Sequence, residues 1–365
     1  MSDPLPASGD VGLPATGGVG PGPIPAPDAA PLHLYPGGAV GGGAAPRFAV
    51  RLAAPDLRPW VGGNAGLPGV WTFAAEAPGP HVVVSALLHG NEIAGAVVLA
   101  RWLEAGEPRP LRGRLTLVLA NLDAHARFDP ADPTLSRYAD EDLNRVWDAA
   151  TLDGPRTSSE LRRARALRPV LDSADVLLDL HSMLWPSDPL ILCGRAAKAR
   201  ALAARLGVPP LVVADDGHAD GRRMMDYGRF ADPDHPAVAL LVEGGPHWEP
   251  ETPPVLEACA RALLRETGLV PPPAPAEDGA AAEAGAGAGA QVWEVTRTVV
   301  ARTRGFAFVR AFRGGEVVPR RGTLIALDGD EEEVRTPHDD TLLVMPSPQI
   351  LRGHTAVRLA RRAAG

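Results

Sequence analysis

Lysine is all but missing from this 365-residue chain: of 36 basic residues, only Lys198 is not an arginine. We read that bias as a matter of coding, so an arginine counts here through its motif and not its type. Acidic residues outnumber basic ones, and the formal charge of −8 with a pI of about 5.7 removes the electrostatic footprint that a nucleic-acid partner requires. Cysteine is equally scarce. Cys193 and Cys259 are the only two and match no short metal-binding spacing, which excludes a disulfide framework and a thiolate metal site and fits a reducing cytoplasm. Long apolar runs are absent too. Nothing approaches the roughly 20 residues that span a bilayer. The first 45 residues hold no lysine or arginine, unlike a secretory or transit signal. A cytoplasmic protein without membrane contact is expected.

Proline and glycine, in contrast, are concentrated. Residues 1–45 carry no apolar periodicity able to offset chain entropy and read as a disordered tail. Residues 271–291, which include PPPAPAEDGAAAEAGAGAGA, have the composition of a flexible linker. Between them, residues 46–270 form the expected main domain.

Inside that domain, strand-like runs alternate with helical ones. HVVVSALL (81–88), RLTLVLAN (114–121), ADVLLDLH (174–181), PLVVAD (210–215) and AVALLVEG (237–244) read as buried strands. Residues 92–104, 159–171, 196–206 and 254–267 read as helices. The alternation predicts an α/β fold, a mixed and largely parallel sheet flanked by helices. After the linker, residues 292–365 change to short runs of Val, Thr, Phe and Leu, predicting a smaller all-β domain. Two segments in it echo each other, GGEVVPRRGTLIAL and PQILRGHTAVRLA, and resemble the barrel-sandwich shape of biotinyl and lipoyl modules. Those modules carry their cofactor on a lysine, and no lysine follows Lys198.

Polar residues fall at one edge of this sheet. His89 and Glu92, in HGNE, follow one strand; His181 ends another; Glu243, in VEGG, ends a third. Open α/β sheets bind ligands outside the carboxyl ends of their strands. Each element alone has an ordinary explanation, since HxxE arises by chance and a strand-end histidine is commonly a satisfied core residue. Together, two histidines and a carboxylate with a fourth position open make the pattern of a catalytic zinc site, with one Zn2+ per chain. Glu243 is then the spare carboxylate, suited to take a proton from water and hand it to a leaving group. A further segment, SRYADEDLNRVW (136–147), reads either as a solvated polar loop or as an arginine clamp for carboxylates.

HGNE, RYADEDLNR, DLHS and VEGGP, in this order, resemble the succinylglutamate desuccinylase and aspartoacylase family, relatives of the zinc carboxypeptidases. The resemblance covers residues 81–246, and the β module resembles the family's C-terminal domain. It implies a zinc carboxypeptidase-like fold, with zinc on His89, Glu92 and His181 and Glu243 as general base and acid. It further implies that Arg137 polarises the scissile carbonyl while Asn144 and Arg145 hold the substrate's carboxylate. A zinc ion and two arginines against two glutamates leave such a site positive, which suits a small anionic substrate. Asp179 is either an orienting partner for a histidine or a solvent-facing strand end. Arg229 and His218 are weaker candidates, His218 reading better as part of a surface turn. Two features depart from aspartoacylases: His247 replaces a glutamine, and Tyr35, Tyr138 and Tyr227 leave no tyrosine beyond the linker. The expected activity is hydrolysis of an N-acyl amino acid or similar small carboxylate. The alternatives are a metallocarboxypeptidase trimming peptide C termini and a non-catalytic carboxylate-binding protein.

Overall fold

Residues 48–218, 220–272, 289–329, 332–347 and 350–363 are described by the structure, a computed structural model. The expected tail at 1–45 lies outside these residues, as do residues 273–288 of the expected linker at 271–291, whose last residue, Gln291, already belongs to a strand. The first part of the chain supplies strands β1 (Val70–Ala74), β2 (His81–Ala86), β3 (Arg114–Leu119), β4 (Val176–Met183), β5 (Leu190–Gly194), β6 (Leu211–Asp215) and β7 (Val238–Pro246). Its helices are α1 (Ile93–Ala105), α2 (Leu122–His125), α3 (Ala149–Asp153), α4 (Ser159–Ser173), α5 (Ala197–Leu206) and α6 (Thr252–Glu266). The second part supplies β8 (Gln291–Val300), β9 (Phe306–Phe308), β10 (Val317–Val318), β11 (Leu324–Asp328), β12 (Glu332–Arg335), β13 (Thr341–Val344) and β14 (Thr355–Arg362). Neither β1 nor β5 is expected from the sequence. Both are five-residue runs, and each is fixed by antiparallel pairing, β1 with β3 and β5 with β7.

One sheet of eleven strands runs in the order β1-β3-β2-β4-β7-β5-β6-β8-β14-β13-β10. Its centre is parallel, β3 to β2 to β4 to β7, as buried apolar strands linked by helices require. The all-β part continues the same sheet, because β8 pairs in parallel with β6 from Leu211↔Gln291 onward. The remaining strands β9, β11 and β12 make a three-stranded sheet, and a core containing Val299, Phe312, Ile325, Leu343 and Leu359 lies between the two layers.

Strand periodicity decides which face becomes chemical. Along β4, Leu178 and Leu180 join the core that includes residues of α1, α5 and α6, while Leu177 joins the core containing residues of α3 and α4. On β7, Leu240 and Val242 go to the first core, Ala239 and Leu241 to the second. Asp179, His181 and Glu243 carry the odd-numbered parity of the second face, and register sets His181 directly beside Glu243. No helix among the described residues is long and apolar enough to cross a membrane.

Two local features bring the HGNE turn to that edge. Leu87 is fully buried with φ of 61°, a left-handed conformation that costs a branched residue about 1–2 kcal/mol, and it ends β2 two residues earlier than the apolar run suggests. Gly95, in the first turn of α1, has no room for a side chain: a Cβ there would stand 2.9 Å from Ala86 Cβ and 3.0 Å from Leu180 Cβ. That close approach holds the start of α1, and Glu92 before it, against β2 and β4.

Candidate active site

His89, Glu92 and His181 meet as a buried group whose candidate ligand atoms all lie within 4.8 Å of one another. His89 Nδ1 is 2.7 Å from Glu92 Oε1, and His181 Nδ1 is 3.1 Å from Glu92 Oε2. Tetrahedral coordination with bonds of about 2.0–2.1 Å sets ligand atoms about 3.4 Å apart, so small adjustments bring this trio to a metal. Each ring is oriented from behind by an aspartate. His181 Nε2 is 2.6 Å from Asp179 Oδ2, and Asp179 Oδ1 accepts from Ser85 Oγ at 2.6 Å. His89 Nε2 is 2.9 Å from Asp142 Oδ1. With the ring protons on the Nε2 atoms, both Nδ1 lone pairs point into the group, as metal ligation requires. Burial opposes the charge of Glu92, but the flanking His89 and His181 hold its carboxyl well below the usual range.

Glu243 stands beside this group, next to His181 in the register, and no side-chain hydrogen bond among the described residues joins it to the three. It is 5% exposed, and its Oε2 has no hydrogen-bond partner among the described residues. Burial, reinforced by the charge of Glu92, pushes its carboxyl up to about 8. A divalent cation held by the neighbouring trio would act in the opposite sense, stabilising the carboxylate by attraction. A three-ligand donor set with an unpartnered buried carboxylate alongside fits a metal that also holds water.

The clamp segment is positioned by one residue the sequence reading passed over. Glu160, fully buried in the first turn of α4, accepts from the backbone N–H groups of Ala139 (2.7 Å), Asp140 (3.1 Å) and Glu141 (3.2 Å) and from Asn121 Nδ2 (3.1 Å). The HGNE turn is tied to the same segment, since Gly90 N donates to Arg137 O at 3.0 Å and a Cβ on Gly90 would fall 2.5 Å from Ser136 O. Arg137 therefore reaches the trio, with Nη1 3.3 Å from Glu92 Oε1 and Nη2 2.9 Å from His89 Nε2. Asn144 is buried, its Oδ1 accepting from Met224 N at 2.8 Å, so half of its amide holds the neighbouring turn in place. Arg145 is half-buried, with Nη2 3.3 Å from His218 Nε2.

All seven residues singled out as ligands, acid–base group or clamp lie on this edge. Of the secondary candidates, Asp179 is an orienting partner of His181. His247 is buried beside the site, its Nδ1 2.8 Å from Ser182 Oγ, and burial lowers its ring to about 4, which keeps it neutral. His218 overturns the surface-turn reading by bonding two arginines. Arg229 is excluded: its Nη2 donates to Ala174 O, just before β4 begins, at the end of the sheet away from the site. Missed in the sequence were Asp142, hidden in a charge run, and Arg358, which lies on β14 more than a hundred residues from the last of the four site motifs.

A model of the succinylglutamate desuccinylase/aspartoacylase catalytic domain matches residues 78–233. A probable aspartoacylase of Parasynechococcus marenigrum is 35% identical over 139 residues, 35% of this chain and 44% of that protein. The aspartoacylase of Xenopus tropicalis is 30% identical over 115 residues, 29% of this chain and 34% of that protein. These matches thus span less than half the length of either relative. A succinylglutamate desuccinylase structure from Vibrio cholerae shares the fold with a TM-score of 0.62 at 20% identity, covering 81% of this chain and 86% of that one. One from Vibrio parahaemolyticus gives 0.60 at 19% identity, covering 81% and 87%.

Proposed function

Because this chain belongs to the succinylglutamate desuccinylase/aspartoacylase family, we propose that it is a zinc-dependent deacylase, cleaving the amide bond of an N-acyl amino acid or a similar small carboxylate. The observation that carries the reading is the buried His89–Glu92–His181 trio with the unpartnered carboxylate of Glu243 beside it. Zinc would supply a Lewis acid that lowers the pKa of water to about 7 and polarises a carbonyl. The chain's own groups do the rest. Glu243 accepts the proton of the attacking water and returns it to the departing amine, which leaves poorly unless protonated. Arg137 donates to the carbonyl oxygen as negative charge develops there. Arg145 and the free half of the Asn144 amide hold the substrate carboxylate. Asp179 and Asp142 keep the two imidazoles in the ligating tautomer. Buried reduced cysteines, Cys193 and Cys259, suit a cytoplasmic enzyme.

A small substrate is favoured over a peptide because the C-terminal part packs beside this end of the sheet: Trp185 Nε1, two residues past β4, donates to Phe312 O at 2.8 Å, and Arg358 on β14 reaches His218. The deciding experiment measures bound zinc by elemental analysis and screens the purified protein against N-acyl amino acids for release of free amine. Release of C-terminal residues from peptides, with no N-acyl amino acid cleaved, would replace this reading by a carboxypeptidase.

The clamp should divide its effects between binding and rate. Arg145→Ala is expected to raise KM with little change in kcat, because the carboxylate contact exists before and during the reaction. Arg137→Ala is expected to lower kcat by about 100-fold to 1000-fold, the usual cost of losing an oxyanion donor. Steady-state kinetics separate the two, and equal losses in kcat alone would mean the roles are misassigned. Behind the ligands, Asp179→Asn should weaken zinc about 10-fold to 100-fold in a chelator competition, since the amide orients His181 less strongly and weakens its basicity. Unchanged affinity would make Asp179 a packing residue.

A further inference from the structure

Each histidine of the trio has an aspartate behind it, whereas Glu92 has a support of another kind, built where β4 and β7 slip out of register. His181 pairs with Glu243 but Met183 pairs with Pro246, so Gly244 and Gly245 together face the single residue Ser182, and Gly245 adopts a φ of 133°. A bulge of this kind interrupts the ladder and re-aims the groups beside it. Here the Ser182 backbone N–H turns to Glu92 Oε2, to which it donates at 2.9 Å. His247 holds that bulged stretch at two points. Its backbone N–H donates to Met183 O at 2.9 Å, and its ring Nδ1 lies 2.8 Å from Ser182 Oγ. The buried His247 ring also packs on Trp248, with centroids 5.1 Å apart. Trp248 Nε1 in turn donates to the backbone oxygen of Asn91, the residue before Glu92, at 3.0 Å. Contacts therefore run in a closed loop from the Glu92 carboxylate through Ser182, His247, Trp248 and Asn91 back to the Glu92 backbone. His247 is neither ligand, proton carrier nor clamp in the chemistry derived above.

We propose that His247 is a positioning residue for the metal: acting through Ser182 on one side and Trp248 on the other, it keeps the Glu92 carboxylate turned toward the two histidines. The carboxylate needs such a hold because it has a competitor. Arg137 Nη1 lies 3.3 Å from Glu92 Oε1, and a guanidinium binds a carboxylate through the same oxygens that a metal would use. The Ser182 N–H anchors the other oxygen, Oε2, on the side of His181, whose Nδ1 is 3.1 Å away. With Ser182 released from His247, its N–H loses a fixed direction, and the carboxylate is free to rotate toward Arg137. The arrangement also gives the bulge a purpose, since Gly244 and Gly245 set the offset at which His247 meets Ser182.

The inference rests on the trio being a metal site, and its test reads metal binding, not turnover. Zinc affinity would be measured on the full chain by competition with a chromogenic chelator, and the visible spectrum recorded for the Co2+-substituted protein. His247→Ala and Ser182→Ala are each expected to weaken zinc about 10-fold to 100-fold, the usual effect of losing an outer-shell partner. The double variant should fall within about 2-fold of the weaker single one, because both changes cut the same link. His247→Asn sets an amide near the place of Nδ1 and is expected to regain most of the loss. The Co2+ spectra of the two alanine variants should differ from wild type, and that of His247→Asn should resemble it. Ser182→Ala, a small deletion, carries the test if His247→Ala does not fold. A role in packing alone would lower the melting temperature of the metal-free protein and leave zinc affinity and the Co2+ spectrum unchanged. That result, additive losses in the double variant, or an asparagine variant as weak as the alanine one overturns the proposal and leaves the metal site standing. Wild type that fails to compete with the chelator would remove the metal reading itself, and this inference with it.

Discussion

Glu243→Gln should yield a protein that holds zinc and no longer turns over. The trio of His89, Glu92 and His181 is complete without Glu243, whose Oε2 has no partner among the described residues, so nothing in the ligand set changes. An amide is nearly the same size and still bonds to water, but it neither accepts a proton nor passes one on. Losing general base and acid together should cost at least the ~100-fold to 10,000-fold typical of such catalysis in kcat. The substitution has a second, opposite consequence. In the metal-free protein the Glu243 carboxyl is raised to about 8, whereas an unfolded glutamate titrates at about 4.3. A raised acid contributes stability that is fully present below the unfolded value and is lost as pH rises through the folded one. Metal-free wild type should therefore lose stability between about pH 4 and pH 8 through this group, and Glu243→Gln should not. Its melting temperature at pH 8 is expected to exceed that of metal-free wild type. A variant purified without zinc, or one that hydrolyses substrate at nearly the wild-type rate, would make Glu243 a ligand or a bystander.

His181→Ala should lose metal and activity together. Removing this imidazole takes away one of three ligands, and the two that remain bind a divalent ion too weakly to retain it through purification. It also isolates Asp179, which is fully buried and, among the described residues, keeps only the Ser85 hydroxyl as a side-chain partner. Breaking a buried charged pair from one side typically costs about 3–5 kcal/mol, so the metal-free variant should also melt well below metal-free wild type. Combining it with Asp179→Asn should recover part of that stability without recovering zinc. Elemental analysis and thermal melts on the same preparations check both statements, and a His181→Ala protein with a full equivalent of zinc would remove His181 from the ligand set. Paired with Glu243→Gln, the two variants separate holding the metal from using it.

The chain's own pattern determined a great deal. Buried strands announce themselves because fully apolar runs such as HVVVSALL have no other stable place, and the switch to HGNE at the end of one of them is unexplained by packing. His89, Glu92, His181 and Glu243 could be grouped because parallel strands all deliver their carboxyl ends to one edge, a rule that needs no coordinates. Segment 136–147 drew notice for a similar reason, since arginines in a compact polar segment suit a carboxylate, and the fold brings Arg137 to the trio. Strands β1 and β5 were not, because five residues of alternating or apolar character are decided by the neighbour that pairs with them.

What only the tertiary structure decided is which distant charges meet. Asp142 and Asp179 carry the same carboxylate as many other acidic residues, and only the fold selects these two to face the histidine rings. Glu160 reads as an ordinary helix-start glutamate, yet three backbone N–H groups of the clamp converge on it. Arg358 and Arg229 are indistinguishable by type in a chain with a single lysine, and their fates are opposite. Sheet continuity from β6 through β8 to β14 carries Arg358 to His218, while Arg229 is spent on a backbone carbonyl at the far end of β4. Sequence pattern records the preference of each segment for strand, helix or solvent, which depends on near neighbours. Long-range register, which no local preference encodes, sets the few ångströms that turn a charge into a partner.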